Sequence, residues 1–375
     1  MGRKHVQPGF FDLDWRYERL SEAGDPLARL AAAVDFEPFR YRLEKALKRS
    51  DGAKGGRPPH DPVMMFEALV LQALYGLSDD QAEFQINDRL SFMRFLELGA
   101  DRPAPDAKTI WLFRELLIEA GVLQKLFDLF DARLAEKGYL AMGGQTPGTS
   151  PRADATVVEA PRQKNTDEEK QDIKEGKVPE DWQDNPAKLA QKDMDARWTL
   201  KRGKKKEAKD GKPVLEIVVP AFGYKNHIAT GVKHGFIRAF TVTDAAAHDG
   251  ARLKELARPG NTASGVWADT AYRSKKNEAM LRKRMLLSHI HQRRDPGKRL
   301  SQAKARANAR RSKVRSCIEH SLPRTRSGVF AHQKTRMGLF VRTIGKARAA
   351  FKIGMVNLAY NFRRLVWHQG RRLPA

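Results

Sequence analysis

The chain has 375 residues, of which 70 are Lys or Arg and 45 are Asp or Glu, a formal excess of +25. Its hydrophobic fraction of 41% is enough to bury a core, and the length suggests two or three domains. A single cysteine, Cys317, excludes an internal disulfide framework and a Cys-rich zinc site, and no apolar run approaches the ~20 residues of a membrane span. The opening residues carry no signal-like apolar stretch. These features predict a soluble, intracellular protein with an anionic partner. A pI near 10 points to polyphosphate, since each neutralised phosphate releases condensed counterions.

In chain order, helical pieces over about Pro26 to Lys48 are followed by the break Asp51-Gly52-Ala53-Lys54-Gly55-Gly56. Asp61 then reads as an N-cap with Pro62 at the first helical position, ahead of Val63, Phe66, Leu69, Val70, Ala73 and Leu74 at helical spacing. Gly76 closes that helix, and Ser78 with Gln81 forms a capping box for one carrying Phe84, Leu90, Phe92, Phe95 and Leu96. Asp106 caps a third, and a fourth runs from about Val122 to Lys137. These stripes read as core. Tight turns between short helices in a basic chain are compatible with a helix-turn-helix.

From Ala153 the rhythm changes. Residues 153–160 are strand-like and stop at Pro161. Residues 162–212 hold 27 charged residues among 51, the composition of a solvated insertion. Trp182 and Trp198 inside it are expected to pack rather than stack on a base. Lys201–Lys206 reads as solvated linker. Strand signals resume from Val214 through His227 to Val242. Val266-Trp267-Ala268-Asp269 is a short strand ending at a carboxylate, residues 274–284 are helical, and a basic helix reaches from about Ser301 to His320. This order fits an α/β domain with a mixed sheet behind an all-α region. The expected division is an N-terminal arm over 1–56, a helical region over 57–140, and an α/β domain over 141–375 with the insertion at about 162–213.

Three carboxylates stand out. Asp154 opens a strand, Asp269 ends one, and Glu319 lies four residues after Arg315 on the basic helix. From Arg293 to Arg326 there are twelve Lys or Arg against Asp295 and Glu319 alone. Carboxylates from two strand ends and a helix can hold two divalent ions for phosphodiester displacement. Equally, Asp154 and Asp269 can serve as strand-end caps and Glu319 as the ion-pair partner of Arg315. His227 reads as a packed or surface strand histidine, and Tyr272 and Arg273 either touch DNA or shape a turn.

The surrounding text resembles that of bacterial insertion-sequence-5 family transposases, within the wider DDE group and the insertion-sequence-4 superfamily. The resemblance covers about Arg57 to Leu365. It rests on Gly56-Arg57-Pro58-Pro59, Leu77-Ser78-Asp79-Asp80-Gln81, Pro105-Asp106-Ala107-Lys108-Thr109-Ile110-Trp111, Asp154-Ala155-Thr156, Phe222-Gly223-Tyr224-Lys225-Asn226-His227, Ala268-Asp269-Thr270-Ala271-Tyr272 and Val314-Arg315-Ser316-Cys317-Ile318-Glu319-His320. It implies an RNase H-like catalytic domain in which Asp154, Asp269 and Glu319 are the catalytic Mg²⁺ ligands, with Mn²⁺ as a substitute. It implies cutting at the inverted-repeat ends of a mobile element and transfer of the 3′-hydroxyl ends to target DNA, by a homodimer or higher assembly on double-stranded DNA. Arg315, with Arg326 or Lys334, takes the phosphate-contact role.

Two stretches depart from the family pattern. Thr146–Ala153 intervenes before the first aspartate where apolar strand residues belong, and Pro151 cannot donate to a central ladder. Ser321–Gly328 separates Glu319-His320 from Val329-Phe330-Ala331-His332-Gln333-Lys334, the text that normally follows it, which favours Lys334 as the displaced motif lysine. Both flank expected catalytic carboxylates, so reduced activity is expected of this copy.

Overall fold

The computed structural model describes residues 12–47, 59–99, 102–140, 145–148, 157–202, 218–258, 265–294, 297–319 and 328–370. The chain divides into two compact units, one of residues 1–126 with 359–375 and one of residues 127–358.

The first unit is helical. It contains α1 (Asp12–Glu22), α2 (Pro26–Ala33), α3 (Arg40–Leu47), α4 (Pro62–Tyr75), α5 (Asp79–Asp88), α6 (Leu90–Phe95) and α7 (Ala107–Glu119). The caps lie where the side chains dictate. Asp61 accepts from the amides of Val63 and Met64, Gly76 adopts φ 69° at the end of α4, and Ser78 and Gln81 close a capping box. Asp106 accepts from Thr109 N at 2.6 Å. The helical pieces expected over Pro26 to Lys48 are α2 and α3, parted by a 3₁₀ turn (Glu37–Phe39) at Pro38, which cannot continue the ladder. The helix expected to carry Phe84 to Leu96 also divides, at Arg89, whose φ of −106° and ψ of 115° turn Phe92 and Phe95 inward. Phe84 is left 68% exposed, which corrects its assignment to the core.

That core is a nest of aromatic rings. Phe36, Phe39, Phe66, Phe95 and Phe362 meet edge-on or tilted, with centroids 5.1 to 6.4 Å apart. Above it Arg114 forks onto Asp79 at 2.6 and 2.7 Å while Gln72 donates to the same carboxylate at 2.7 Å, tying α4, α5 and α7 together.

The second unit is α/β. Its helices, in chain order, begin with α8 (Leu123–Glu136), which starts in the first unit, and α9 (Asp167–Glu175), α10 (Glu180–Gln183) and α11 (Pro186–Gln191). They continue with α12 (Leu253–Leu256), α13 (Lys275–Lys283), α14 (Gln302–Glu319), α15 (Val329–Thr335) and α16 (Lys346–Gln369), the last ending in the first unit. Its strands are β1 (Gln145–Gly148), β2 (Val157–Glu159), β3 (Arg197–Arg202), β4 (Val218–Gly231), β5 (Ile237–Asp244), β6 (Gly265–Val266) and β7 (Leu287–Ser288). All belong to one mixed sheet. β4 pairs antiparallel with β1, β2, β3 and β5, and β6 lies parallel between β1 and β7. Gly223, at φ 143°, is required because a Cβ there would lie 2.3 Å from the Val158 carbonyl.

β1 and β2 both lie along the edge of β4 opposite β5, since each overlaps the residues that β5 pairs. Partner numbers total 376 along β1 and 382 along β2, so the chain between them carries six residues more than one unbroken ladder can pair.

The charged insertion is not simply solvated. Trp182 is fully buried and donates to Glu169 Oε1 at 2.6 Å, with Lys188 on the same carboxylate at 3.2 Å and Lys192 over the indole face at 5.0 Å. The insertion is fastened by Asp193. Its carboxylate accepts from the Tyr224 hydroxyl at 2.7 Å, from the amides of Asp195 and Ala196, and from Gly345 N at 3.2 Å. Asp195 accepts from Lys346 N at 2.8 Å, at the start of α16. Trp198 packs only in part, tilted against Phe222 at 5.3 Å and 40% exposed.

Within α4, burial and the nearby Glu97, Asp61 and Glu37 push the Glu67 carboxyl up to about 8. Its folded value lies above the ordinary 4.5, so its stabilising protonation is complete below pH 4.5 and is lost as pH rises through about 8. Glu67→Gln is expected to flatten that pH dependence and to stabilise the protein by ~2 kcal/mol at pH 8.5. Thermal unfolding followed by circular dichroism at pH 5 and pH 8.5 checks it; parallel curves for the two proteins at both pH values would contradict it.

Candidate active site

Asp269 stands at the end of β6. The parallel ladder continues past β7, with His289 N donating to Val266 O at 2.8 Å and His291 N to Ala268 O at 2.9 Å. At Asp269 the chain leaves the sheet in a 3₁₀ turn, Thr270–Tyr272, because the Asp269 side chain caps it by accepting from Ala271 N at 2.8 Å. Tyr272 is fully buried in a core with Leu253, Val266, Ala268, Leu281 and Ile290, so it shapes the turn. Asn277 donates to Tyr272 O at 2.7 Å and to Gly250 O at 2.9 Å, locking the turn to a second one, Asp249–Arg252. Gly250 permits that approach, since a Cβ there would lie 2.3 Å from Ala271 O. Asp269 Oδ1 is thus held in place, and Oδ2 takes no hydrogen bond among the described residues.

On one edge β1 pairs parallel with β6 through Gln145↔Val266, three residues before Asp269. On its other edge Gly148 pairs with Ile228. An unbroken strand running back from Val157↔Lys225 would give the rung opposite Ile228 to residue 154.

One face of α14 lies along residues 290–292. Asn308 exchanges two 2.9 Å hydrogen bonds with the backbone of Gln292, Arg311 donates to Ile290 O at 3.0 Å, and Ser312 Oγ approaches His291 Nε2 at 3.4 Å. Arg315, buried on the same face, has a buried Nε with no hydrogen-bond partner among the described residues. Burial and the Arg315 charge push the His291 imidazole below its ordinary value, while Asp269 pulls the other way, so His291 lies within the fields of both.

Behind the sheet, three carboxamides are buried together. Asn226 on β4 donates to Asn357 Oδ1 at 2.9 Å, Asn357 returns a bond to Asn226 Oδ1 at 3.1 Å, and Gln333 donates to Asn357 Oδ1 at 2.8 Å. The ring fastens α15 and α16 to β4 and so positions the helix carrying Lys334. His227 is fully buried with Nε2 2.8 Å from Thr243 Oγ1, and burial pushes it down to about 4, so it is a packed neutral histidine.

Of the expected site residues, Asp269 and Arg315 both act electrostatically on His291. Lys334 is half-buried on α15. Asp154 and Arg326 lie outside the described residues, and Glu319 ends α14 with its side chain outside them. Among the described residues no three His, Cys, Asp or Glu side chains are grouped to hold a metal ion. What Asp269 offers, a fixed carboxylate with one oxygen not hydrogen-bonded, is a hard oxygen donor of the kind Mg²⁺ takes. His291, Arg311 and the carboxamide ring went unnoticed in the sequence. A signal existed for part of this: Asn308, Arg311, Ser312 and Arg315 fall at i, i+3, i+4 and i+7, one face of a helix.

Residues 15–116 match the Transposase domain (DUF772) family model and residues 153–362 match the Transposase DDE domain model. No solved structure matches the chain.

Asn226→Leu is expected to lower stability by about 2–4 kcal/mol, because it leaves two buried carboxamides short of partners. Asn226→Leu combined with Asn357→Leu is expected to cost less than the sum of the single changes in a double-mutant cycle measured by urea unfolding. Strict additivity would show that the ring does not act as a unit.

Proposed function

Since the chain belongs to the DDE transposases, we propose that it cuts DNA at the inverted-repeat ends of an insertion sequence of the insertion-sequence-5 type and transfers the freed 3′-hydroxyls to target DNA. The observation that carries this reading is Asp269 at a β-strand end, fixed through Ala271 N and flanked by the buried Arg315 of a basic helix. The mixed sheet, with antiparallel β4 and β5 followed by parallel β1, β6 and β7, suits an RNase H-like domain. The helical region serves DNA binding and assembly, and a homodimer or higher assembly brings two DNA ends together.

Asp154, Asp269 and Glu319 would hold Mg²⁺, or Mn²⁺ in its place. When bound, the ions supply Lewis-acid activation of the attacking oxygen and stabilise the leaving oxygen of an in-line displacement. The chain's own residues do the rest. The capping bond to Ala271 N holds Asp269 in one rotamer, and Arg315 offers a guanidinium to a backbone phosphate beside it. Arg326 or Lys334 makes a further phosphate contact, and the buried Gln333 beside Lys334 favours Lys334. DNA is the partner of the basic surface, and among the described residues no helix is long and apolar enough to cross a membrane.

We further propose that this copy turns over poorly. What supports this is the six-residue excess between β1 and β2: the rung opposite Ile228, which an unbroken strand would give to residue 154, is held by Gly148. The same observation favours a second reading, a DNA-binding protein of transposase origin without catalysis.

Purified protein with labelled inverted-repeat DNA and Mg²⁺ or Mn²⁺ separates the readings. Cutting and joining are expected, and Asp269→Ala is expected to reduce both at least ~100-fold while leaving DNA binding in place. Binding without cutting supports the second reading, and cutting that survives Asp269→Ala overturns the site. In cells, a variant lacking residues 148–153 and 321–328, with Pro147→Val to restore a ladder donor, is expected to excise a marked element ~10-fold or more above the parent. Equal, robust excision by the two would sink the impairment.

A further inference from the structure

The end of β6 gathers more positive charge than its carboxylates balance. Arg273, directly after the Asp269 turn, donates from Nη1 to Ile290 O at 3.2 Å, and Arg311 of α14 donates from Nη1 to the same carbonyl oxygen at 3.0 Å. Arg293 donates from Nη2 to Thr270 O at 3.4 Å, and Arg315 is buried alongside. Against these four guanidinium groups the described residues set two carboxylates, Asp269 and Glu278, the latter 3.4 Å from Arg273 Nη1 and already accepting from Ser288 Oγ. Burial and the like charge of Arg273 push Arg311 below its ordinary value, while Glu278 pulls the other way.

Structure alone does not call for this arrangement. One carbonyl can accept two hydrogen bonds, but a lysine or an amide would serve as well, without the repulsion of two guanidinium groups. Each guanidinium has five N–H donors in a planar fork. Among the described residues Arg273 uses Nη1 on Ile290 O and on Glu278, and its side chain is 35% exposed. Ile290 O thus holds both guanidinium groups at one carbonyl, in the residue before His291. Paired forks with donors to spare match the oxygens of a phosphodiester.

Resting on the transposase reading above, we propose that Arg273 and Arg311 form a seat for a DNA backbone phosphate beside the Asp269 site, distinct from the Arg315 contact of the family motif. The seat is filled by the strand being processed, and Ile290 O presents both arginines to it.

The test uses the full-length protein and a fluorescein-labelled 30-base-pair duplex of arbitrary sequence, titrated from 50 to 300 mM NaCl. Arg273→Gln with Arg311→Gln is expected to weaken binding ~10-fold or more at low salt and to reduce the slope of log K against log salt by about 1. Lys170→Gln, on the exposed face of α9, is the control and is expected to leave both quantities nearly unchanged. An unaltered slope and affinity in a folded double variant overturns the seat. Should the double variant unfold, Arg273→Lys and Arg311→Lys replace it. Each keeps its charge and loses the fork, and a several-fold loss of affinity is expected; parental affinity in both overturns the proposal. Inorganic phosphate against chloride at equal ionic strength distinguishes the sources: phosphate that displaces the duplex from the parent at low millimolar concentration marks a free-phosphate site and overturns the DNA assignment. A parent that binds no duplex at all removes the transposase reading itself, whereas a parent that binds while the double variant binds equally removes only the seat.

Discussion

The catalytic unit depends on a matter of register. β4 runs for fourteen residues and is the strand on which β1, β2, β3 and β5 are all aligned. Through β1 it also sets the level of β6, and so of Asp269. Side chains alternate across a strand with period two, and a ladder allows no partial steps. Between β1 and β2 the register along β4 shifts by six residues, so Gly148 takes the rung opposite Ile228 that an unbroken strand would give to residue 154.

The remaining elements hold that strand end still. Asn277 and Gly250 press two 3₁₀ turns together beneath Asp269, and the carboxamide ring of Asn226, Gln333 and Asn357 fixes α15 and α16 to the back of β4. Asp193 and Asp195 use the charged insertion to cap the start of α16. These are polar fastenings in buried places, where a hydrogen bond left unmade is costly and geometry is correspondingly strict. The positive charge is organised on the same principle, with backbone carbonyls at Ile290 and Thr270 accepting from Arg273, Arg311 and Arg293.

Much of the helical unit was legible beforehand because its signals are local. Asp61, Gly76, Ser78, Gln81 and Asp106 mark helix ends by bonds spanning no more than four residues. The break at Arg89 and the exposure of Phe84 were not, since a continuous apolar pattern does not reveal that two ring sets must turn into one nest. The insertion was misread for a related cause. Composition registers its 27 charges but not that Glu169, Lys188 and Lys192 would be drawn around one buried indole.

By itself, the sequence determined the partner class, through an excess of 25 positive charges, and the family, through short blocks in a fixed order. It also marked both departures from the family pattern, because a proline-bearing leader and an interrupted motif are one-dimensional facts. Only the tertiary structure decided that Arg273 and Arg311, 38 positions apart by their numbers, share the Ile290 carbonyl, and that Gly148 stands opposite Ile228. Both are questions of register between segments remote in sequence. Register is set by the pairing of whole strands and by the face a helix buries, quantities that no local pattern of residues contains.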